Sequence, residues 1–243
     1  MKITCVMACR DEEQYLPYSL ASLRKLPIDE LIVVLDRCRD GSRRLIKNNW
    51  HSSLQIYEKE AVAWQNPCAE AKQAGLMLVD DGLVFMTDAD MLVSYGSVEK
   101  ARDLLERDKS LKIICFIYNQ YSLGGSILNR IQDELYNFYW FVSRKLAWQP
   151  GRSGIYMARS EIAELHDEPS EYDSLMATHK TVVVKTNFLH LRPRYSRKDQ
   201  IARGKARAHM PQYSLFKVLV TSFLTLQPHL ISGYLNEKRG LKQ

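Results

Sequence analysis

The chain has 243 residues, of which 46% are hydrophobic and 26% charged, which excludes a disordered or fibrous protein. A chain of this length buries roughly 70% or more of the surface it exposes when unfolded, so the core needs no disulfide or metal to hold it. Net charge is +6, and the stretch 192–207, RPRYSRKDQIARGKAR, has seven Lys/Arg against one Asp, so the remainder is neutral; a nucleic-acid coat would spread its charge more widely.

Ile3 to Ala8 is an apolar run that reads as a strand, and Asp11 to Lys25 places Tyr15, Leu16, Leu20 and Leu23 at helical spacing. Leu31 to Leu35, LIVVL, is a second strand, closed by Asp36 and the polar turn RCRDGS. Leu54 to Tyr57 predicts a third strand, and Pro67 to Val79 a helix with proline at its start. Leu83 to Met86 predicts a fourth strand ending in Thr87-Asp88-Ala89-Asp90. Ser97 is the expected cap of a helix running to Arg107, and Leu111 to Tyr118 is a fifth strand. The second half is less regular. Ile127 to Trp148 predicts a long aromatic helix, mostly core; Gly154 to Met157 and Thr181 to Leu191 predict strands, with a short helix at Glu171 to Ala177 between them. From Tyr213 the tail is helical and apolar, broken near Pro228.

Continuous apolar strands alternating with helices predict an α/β fold with a mostly parallel sheet covered on both faces. Ligands of such sheets bind beyond the carboxyl ends of the strands, here Arg10 to Glu13, Asp36 to Ser42 and Asp88 to Asp90. The five cysteines (Cys5, Cys9, Cys38, Cys68, Cys115) are odd in number and form no C-x-x-C pair, so neither a disulfide framework nor a structural zinc site is expected. Met1 leads straight into the first strand; no leader and a cytoplasmic location are expected.

Asp88-Ala89-Asp90 is the sharpest chemical feature. Two carboxylates one residue apart at a strand end can hold Mg²⁺ or Mn²⁺, which favour hard oxygen ligands shared with phosphates; the plain reading is a helix cap and a turn acid. The order of strand, acidic cluster Asp11-Glu12-Glu13, helix, strand, Asp36 with Asp40-Gly41-Ser42, and later D-x-D resembles the nucleotide-sugar glycosyltransferases of family 2, over about the first 120 residues. That resemblance implies a GT-A fold, a Rossmann-like sheet with helices on both faces, carrying a helical C-terminal extension. It implies a nucleoside site at Ala8, Arg10 and Glu12, with Asp36 on the base edge, where a carboxylate can accept the imino hydrogen of uracil or the N1 and N2 hydrogens of guanine. It places Lys72 on a donor phosphate, Asp88 and Ala89 beside the donor, and Asp88 and Asp90 on a divalent cation that bridges the diphosphate.

An inverting transfer needs a carboxylate to take the acceptor's proton. Asp173 or Glu171, in Glu171-Tyr172-Asp173-Ser174-Leu175, is that base, with exposed helix-start acids as the plain alternative. His190 is either a third metal ligand or a satisfied structural histidine. Arg192 and Arg194 open the basic strip and suit a phosphate. The resemblance implies a UDP-sugar donor in preference to GDP-mannose, although the turn Asp36-Arg37-Cys38-Arg39-Asp40 is one residue shorter than the family pattern and shapes the base pocket differently. The expected architecture is a transferase domain over 1–212, with donor half 1–120 and acceptor half 121–212, followed by the extension 213–243. The acceptor is a glycan, a lipid phosphate or a small molecule. Lys217, Lys238 and Arg239 beside the apolar tail fit peripheral contact with the cytoplasmic face of a membrane, with packing against the domain or a second subunit as the more common alternative. No G-x-G-x-x-G or G-x-x-x-x-G-K-[ST] occurs, which argues against dinucleotide oxidoreductases and P-loop NTPases. No nucleic-acid partner is expected, since the strip contains only Tyr195 as an aromatic. The rival reading is a non-catalytic fold binding through 192–207.

Overall fold

The computed structural model describes residues 1–64, 66–145, 155–162, 164–165, 179–192, 200–201, 204–205, 207–208 and 214–240. In chain order the elements are β1 (Ile3–Cys9), α1 (Leu16–Leu23), β2 (Glu30–Asp36), α2 (Ser42–Asn49), β3 (Ser53–Lys59), α3 (Pro67–Leu76), β4 (Leu83–Asp88), β5 (Met91–Leu92), α4 (Tyr95–Arg107), β6 (Ile113–Gln120), α5 (Ile127–Lys145), β7 (Tyr156–Arg159), β8 (Thr181–His190), α6 (Leu215–Leu224) and α7 (His229–Gly240). The chain divides into two compact units, residues 1–118 with 152–190, and 119–151 with 191–243.

The first unit is built on a sheet ordered β3-β2-β1-β4-β7-β6-β8-β5. β1 pairs in parallel with β2 and β4, and β2 with β3. β7 runs antiparallel to β4 and β6, and β5 antiparallel to β8. Every residue of β2 is buried, as the run ELIVVLD requires of a central parallel strand. One face of the sheet packs Leu16, Leu20 and Leu23 of α1 with Phe85, Phe116 and Phe188, whose rings meet at centroid distances of 5.1 to 6.4 Å. The other face packs Val6, Ile32, Val84 and Met86 against Leu76 of α3.

Glycine 75 sets how closely α3 approaches that face. A Cβ there would stand 2.5 Å from Val6 Cγ1 and 3.1 Å from Val34 Cγ2. Gly75→Val is therefore expected to push α3 off β1 and β2 and to destabilise the unit by about 1–3 kcal/mol. A denaturant midpoint equal to that of the parent would contradict this packing.

Three local expectations change. α1 begins at Leu16; the Asp11 and Glu13 side chains are taken by the next loop, while the Glu12 carbonyl accepts from the Tyr15 and Leu16 amides at the helix start. The cap position of α4 is Ser94, not Ser97; the two hydroxyls bond each other at 2.8 Å. α2 has no counterpart in the sequence reading. Its segment SRRLIKNN buries only Ser42 and Ile46, too few apolar positions to give a helical period. The predicted short helix at Glu171 to Ala177 lies outside the described residues, as do 146–148 of the predicted long helix and Gly154 of the predicted strand.

In the second unit, α5 and α6 are sided opposite to the usual pattern. α5 buries Gln132, Asp133, Tyr136 and Tyr139 and exposes Ile127, Leu128, Ile131, Phe138 and Phe141. The expectation that this aromatic helix is mostly core is thus corrected: its inward face is held by polar bonds. Asp133 accepts from the Ser122 amide at 2.7 Å and from its hydroxyl at 3.1 Å, and Asn137 exchanges bonds with the Gln120 backbone at 2.8 and 3.1 Å. α6 buries Val218, Thr221 and Ser222, with the Thr221 hydroxyl donating to Tyr139 Oη at 2.6 Å, while Phe216, Leu219 and Phe223 face outward.

Candidate active site

Strand register in the first unit brings the predicted residues to one end of the sheet. Ala8 of β1 pairs with Val34 of β2 on one side and with Asp88 of β4 on the other. Beyond these ends the loops after β1 and β2 are laced to each other. The Glu12 amide donates to Ser42 Oγ at 3.0 Å and the Glu13 amide to Asp40 Oδ2 at 2.9 Å. In return the Arg39 amide donates to Asp11 Oδ1 at 2.7 Å and the Gly41 amide to Glu13 Oε2 at 2.9 Å. A Cβ on Gly41 would stand 2.2 Å from Glu13 Oε1, so this reciprocal contact needs glycine there.

Several acids that looked like free ligands in the sequence are therefore structural. Burial alone would raise the Asp40 carboxyl, but bonds from the Ser42 hydroxyl and the Glu13 and Ser42 amides hold it below its ordinary range. Among the described residues, Asp11, Cys38 and Asp40 bring three ligand atoms within 4.8 Å of one another; the amide bonds to both carboxylates account for that cluster without a metal. Glu12 is buried in the same loop and Arg10 is exposed.

Asp36 closes β2, buried, with its carboxylate taken by cations. Arg37 Nε and Nη2 donate to it at 2.9 and 2.8 Å, and Lys59 Nζ lies 3.4 Å away. Burial opposes ionisation, and these two cations overcome it, holding the carboxyl below the usual aspartate range. A carboxylate has about four lone-pair positions, and these three bonds occupy three of them. Lys59 also pairs with Glu70 at 3.0 Å, and both line a groove of about 500 Å³ with Tyr57, Trp64, Gln73 and Met77. Sequence reading missed this network because Lys59 follows no motif and meets Asp36 only through strand register.

At the end of β4 the two carboxylates of the D-x-D point to different partners. Lys72, on α3 and only 1% exposed, places Nζ 2.8 Å from Asp88 Oδ1. Asp90, also buried, lies 3.2 Å from His190 Nε2. His190 is fully enclosed at the end of β8, paired with Met91 and stacked on Tyr118 at 5.6 Å. Ala89 is buried between the two acids. Asp88 and Asp90 offer the hard carboxylate oxygens that Mg²⁺ and Mn²⁺ favour, but each is held by its own partner, and among the described residues they and His190 do not bring three ligand atoms within 4.8 Å of one another. Asp173, Glu171 and Arg194 lie outside the described residues. Arg192, in the second unit, accepts from Gln120 Nε2 through its carbonyl at 2.6 Å. Of the basic strip only residues 192, 200, 201, 204, 205 and 207 are described.

A sequence model described as Glycosyl transferase family 2 matches residues 4–160. No curated protein sequence matches significantly. Several solved structures share the fold. S. aureus TarS 1–349 in complex with UDP-GlcNAc superposes with a TM-score of 0.56 at 13% identity, over 92% of this chain and 71% of that one. The mannosyltransferase PcManGT from Pyrobaculum calidifontis, in complex with GDP-Man and Mn²⁺, gives 0.59 at 14% identity, over 96% and 69%. Glucosyl-3-phosphoglycerate synthase from Mycobacterium tuberculosis, in complex with Mn²⁺, UDP and glucosyl-3-phosphoglycerate, gives 0.52 at 16%, over 78% and 71%. At these identities the likeness is one of fold.

Proposed function

Because the chain belongs to glycosyl transferase family 2 and is a glycosyltransferase with the GT-A fold, we propose that it is a metal-dependent, inverting enzyme. It moves one sugar from a nucleoside diphosphate, UDP-sugar in preference to GDP-mannose, to a hydroxyl or a lipid phosphate. The observation that carries this reading is a pair of ion pairs at and just past the carboxyl end of β4, Lys72 with Asp88 and His190 with Asp90, on the strand beside β1 and its laced loop. Asp88 and Asp90 hold the cation, and His190 orients Asp90 from behind through Nε2. When bound, Mn²⁺ or Mg²⁺ neutralises charge on the departing diphosphate. Lys72 adds a second positive charge at the same phosphates, Asp36 reads the base edge, and Ala8, Arg10 and Glu12 line the nucleoside. Asp173 or Glu171 takes the proton of the attacking hydroxyl. The structures with UDP-GlcNAc and with GDP-Man and Mn²⁺ support this type of donor by fold alone. Release of nucleoside diphosphate from UDP-sugars tests the reading: turnover that needs Mn²⁺ or Mg²⁺ and stops in EDTA is expected, and metal-independent turnover would overturn it.

The acceptor side carries a second expectation. Among the described residues no helix is long and apolar enough to cross a membrane, yet α6 presents Phe216, Leu219 and Phe223 outward, with Phe223 81% exposed. Lys217 lies on the same helix, and Lys238 and Arg239 on α7. An outward apolar stripe together with cations on the same two helices matches the surface of a bilayer containing acidic lipids, which suits a lipid-phosphate acceptor on the cytoplasmic face. Co-sedimentation is expected with vesicles of phosphatidylcholine and phosphatidylglycerol, with a loss of several-fold in the Phe216→Ser/Phe223→Ser double variant. Equal partitioning of the two proteins would remove the membrane from the account.

A further inference from the structure

Two of the five cysteines meet in the laced loops, at the floor of the proposed donor site. Cys9 ends β1 and is buried; Cys38 lies two residues past Asp36 and is half-buried. Parallel pairing sets Cys9 beside Leu35, and the turn then folds Cys38 back over it. The Cys38 thiol donates to the Cys9 carbonyl at 3.2 Å, and each thiol alters the ionisation of the other. Around them stand Asp11 and Asp40, whose carboxylates lie within 4.8 Å of the Cys38 sulfur, together with Glu12 and Ser42.

From this geometry we propose that Cys9 and Cys38 form a reversible oxidative cross-link that ties the end of β1 to the turn after β2 and weakens donor binding. Its effect on the donor rests on the donor-site reading above; the cross-link itself does not.

The environments of the two sulfurs differ in the sense such a pair requires. The Cys9 thiol, acting as donor, lowers the pKa of Cys38, and the Asp11 amide donates to the same sulfur; burial and the carboxylates of Asp40 and Asp11 oppose them without reversing the sign. Cys9 moves the other way: the bond to Cys38 and burial both keep it protonated. Cys38 is thus the more readily ionised of the two and reacts first, with Cys9 as the resolving thiol. Burial raises Cys5 strongly and pushes Cys115 up to about 12, so neither competes.

With a hydroperoxide as oxidant the steps balance. The Cys38 thiolate attacks one peroxide oxygen, the O–O bond breaks, hydroxide leaves, and Cys38 becomes a sulfenic acid. The Cys9 sulfur then attacks the Cys38 sulfur; the S–S bond forms, the S–O bond breaks, and the hydroxide released takes the Cys9 proton to give water. A dithiol reverses it. Closing the two sulfurs to about 2.05 Å drags the turn between Asp36 and Asp40 toward β1, disturbing both the base-edge carboxylate and the lacing.

The test treats the full chain with hydrogen peroxide, alkylates remaining thiols, and maps disulfide-linked peptides by mass spectrometry. A Cys9–Cys38 linked peptide, lost on dithiothreitol treatment, is expected. In Cys9→Ser the expected product is a dimedone-trapped sulfenic acid at Cys38, and Cys38→Ser is expected to give neither. Both cysteines staying fully alkylatable while exposed Cys68 is oxidised would overturn the proposal, and this readout needs only wild-type protein. The second arm compares the thermal shift given by UDP with Mn²⁺ in reduced and oxidised protein. A shift at least halved by oxidation is expected; a full shift in cross-linked protein would overturn the effect on binding. Absence of any shift in reduced protein would count against the donor-site reading, while peptide mapping would still decide the cross-link.

Discussion

Exchanging Asp90 for asparagine is expected to lower turnover at least about a hundredfold while changing the melting temperature little. Asparagine has nearly the same shape and can still meet His190, which is held from other sides by Met91 pairing and Tyr118 stacking. What it lacks is the charge that attracts a divalent cation, and loss of metal-derived stabilisation of a departing diphosphate is worth several kcal/mol, or two or more decades in rate. Asp88→Asn should match that loss in rate and also melt earlier, because Lys72 is buried against this carboxylate. The contrast tests the assignment: two variants with full metal-dependent turnover, or an Asp90 variant that fails only by unfolding, would contradict a metal role.

Lys72→Met isolates the second large effect. Methionine keeps the apolar stem in place and removes the ammonium, leaving Asp88 without the cation it now holds. Breaking a fully buried pair costs about 3–5 kcal/mol. Asp88 retains about 20% side-chain exposure, so roughly 1–3 kcal/mol is expected, a drop of about 3–10 °C for a chain of this size. If Asp88 holds Mn²⁺, the metal replaces the missing charge, and Mn²⁺ should restore more stability to the variant than it adds to the parent. Equal stabilisation of both proteins would separate Lys72 from the metal. Donor affinity should still be weaker in the variant under the proposed contact of Lys72 with the donor phosphates.

The parts of the fold that the sequence made legible are those where local pattern and burial coincide. β1, β2, β4 and β6 are continuous apolar runs because they are covered on both faces, and Asp36 and Asp88 mark their ends. Strand direction was not legible at β7, since four buried residues carry no signal that separates antiparallel from parallel pairing. Nor was the use of the acids. Asp11, Glu13 and Asp40 read as ligand candidates from their positions after strands, but their partners are amides some 27 or 28 residues away in sequence. Asp36 shows the same limit, for Lys59 reaches it only through the register of β3. The pairing of Asp90 with His190 is a hundred residues long in sequence and depends on β5 lying against β8. In α5, aromatic content suggested a core helix, whereas buried Gln132 and Asp133 reverse its face.

A donor site that needs metal ties nucleotide binding to the cation. Melting the reduced protein with UDP, GDP, CDP, TDP and ATP in turn, each with Mn²⁺ and again with EDTA, tests it most directly. A ligand at a hundred times its dissociation constant adds about 2.7 kcal/mol, a rise of roughly 5–10 °C here. The account predicts such a rise for one nucleoside diphosphate, UDP first, only when Mn²⁺ is present. A flat panel on folded protein, or an equal rise in EDTA, would contradict it.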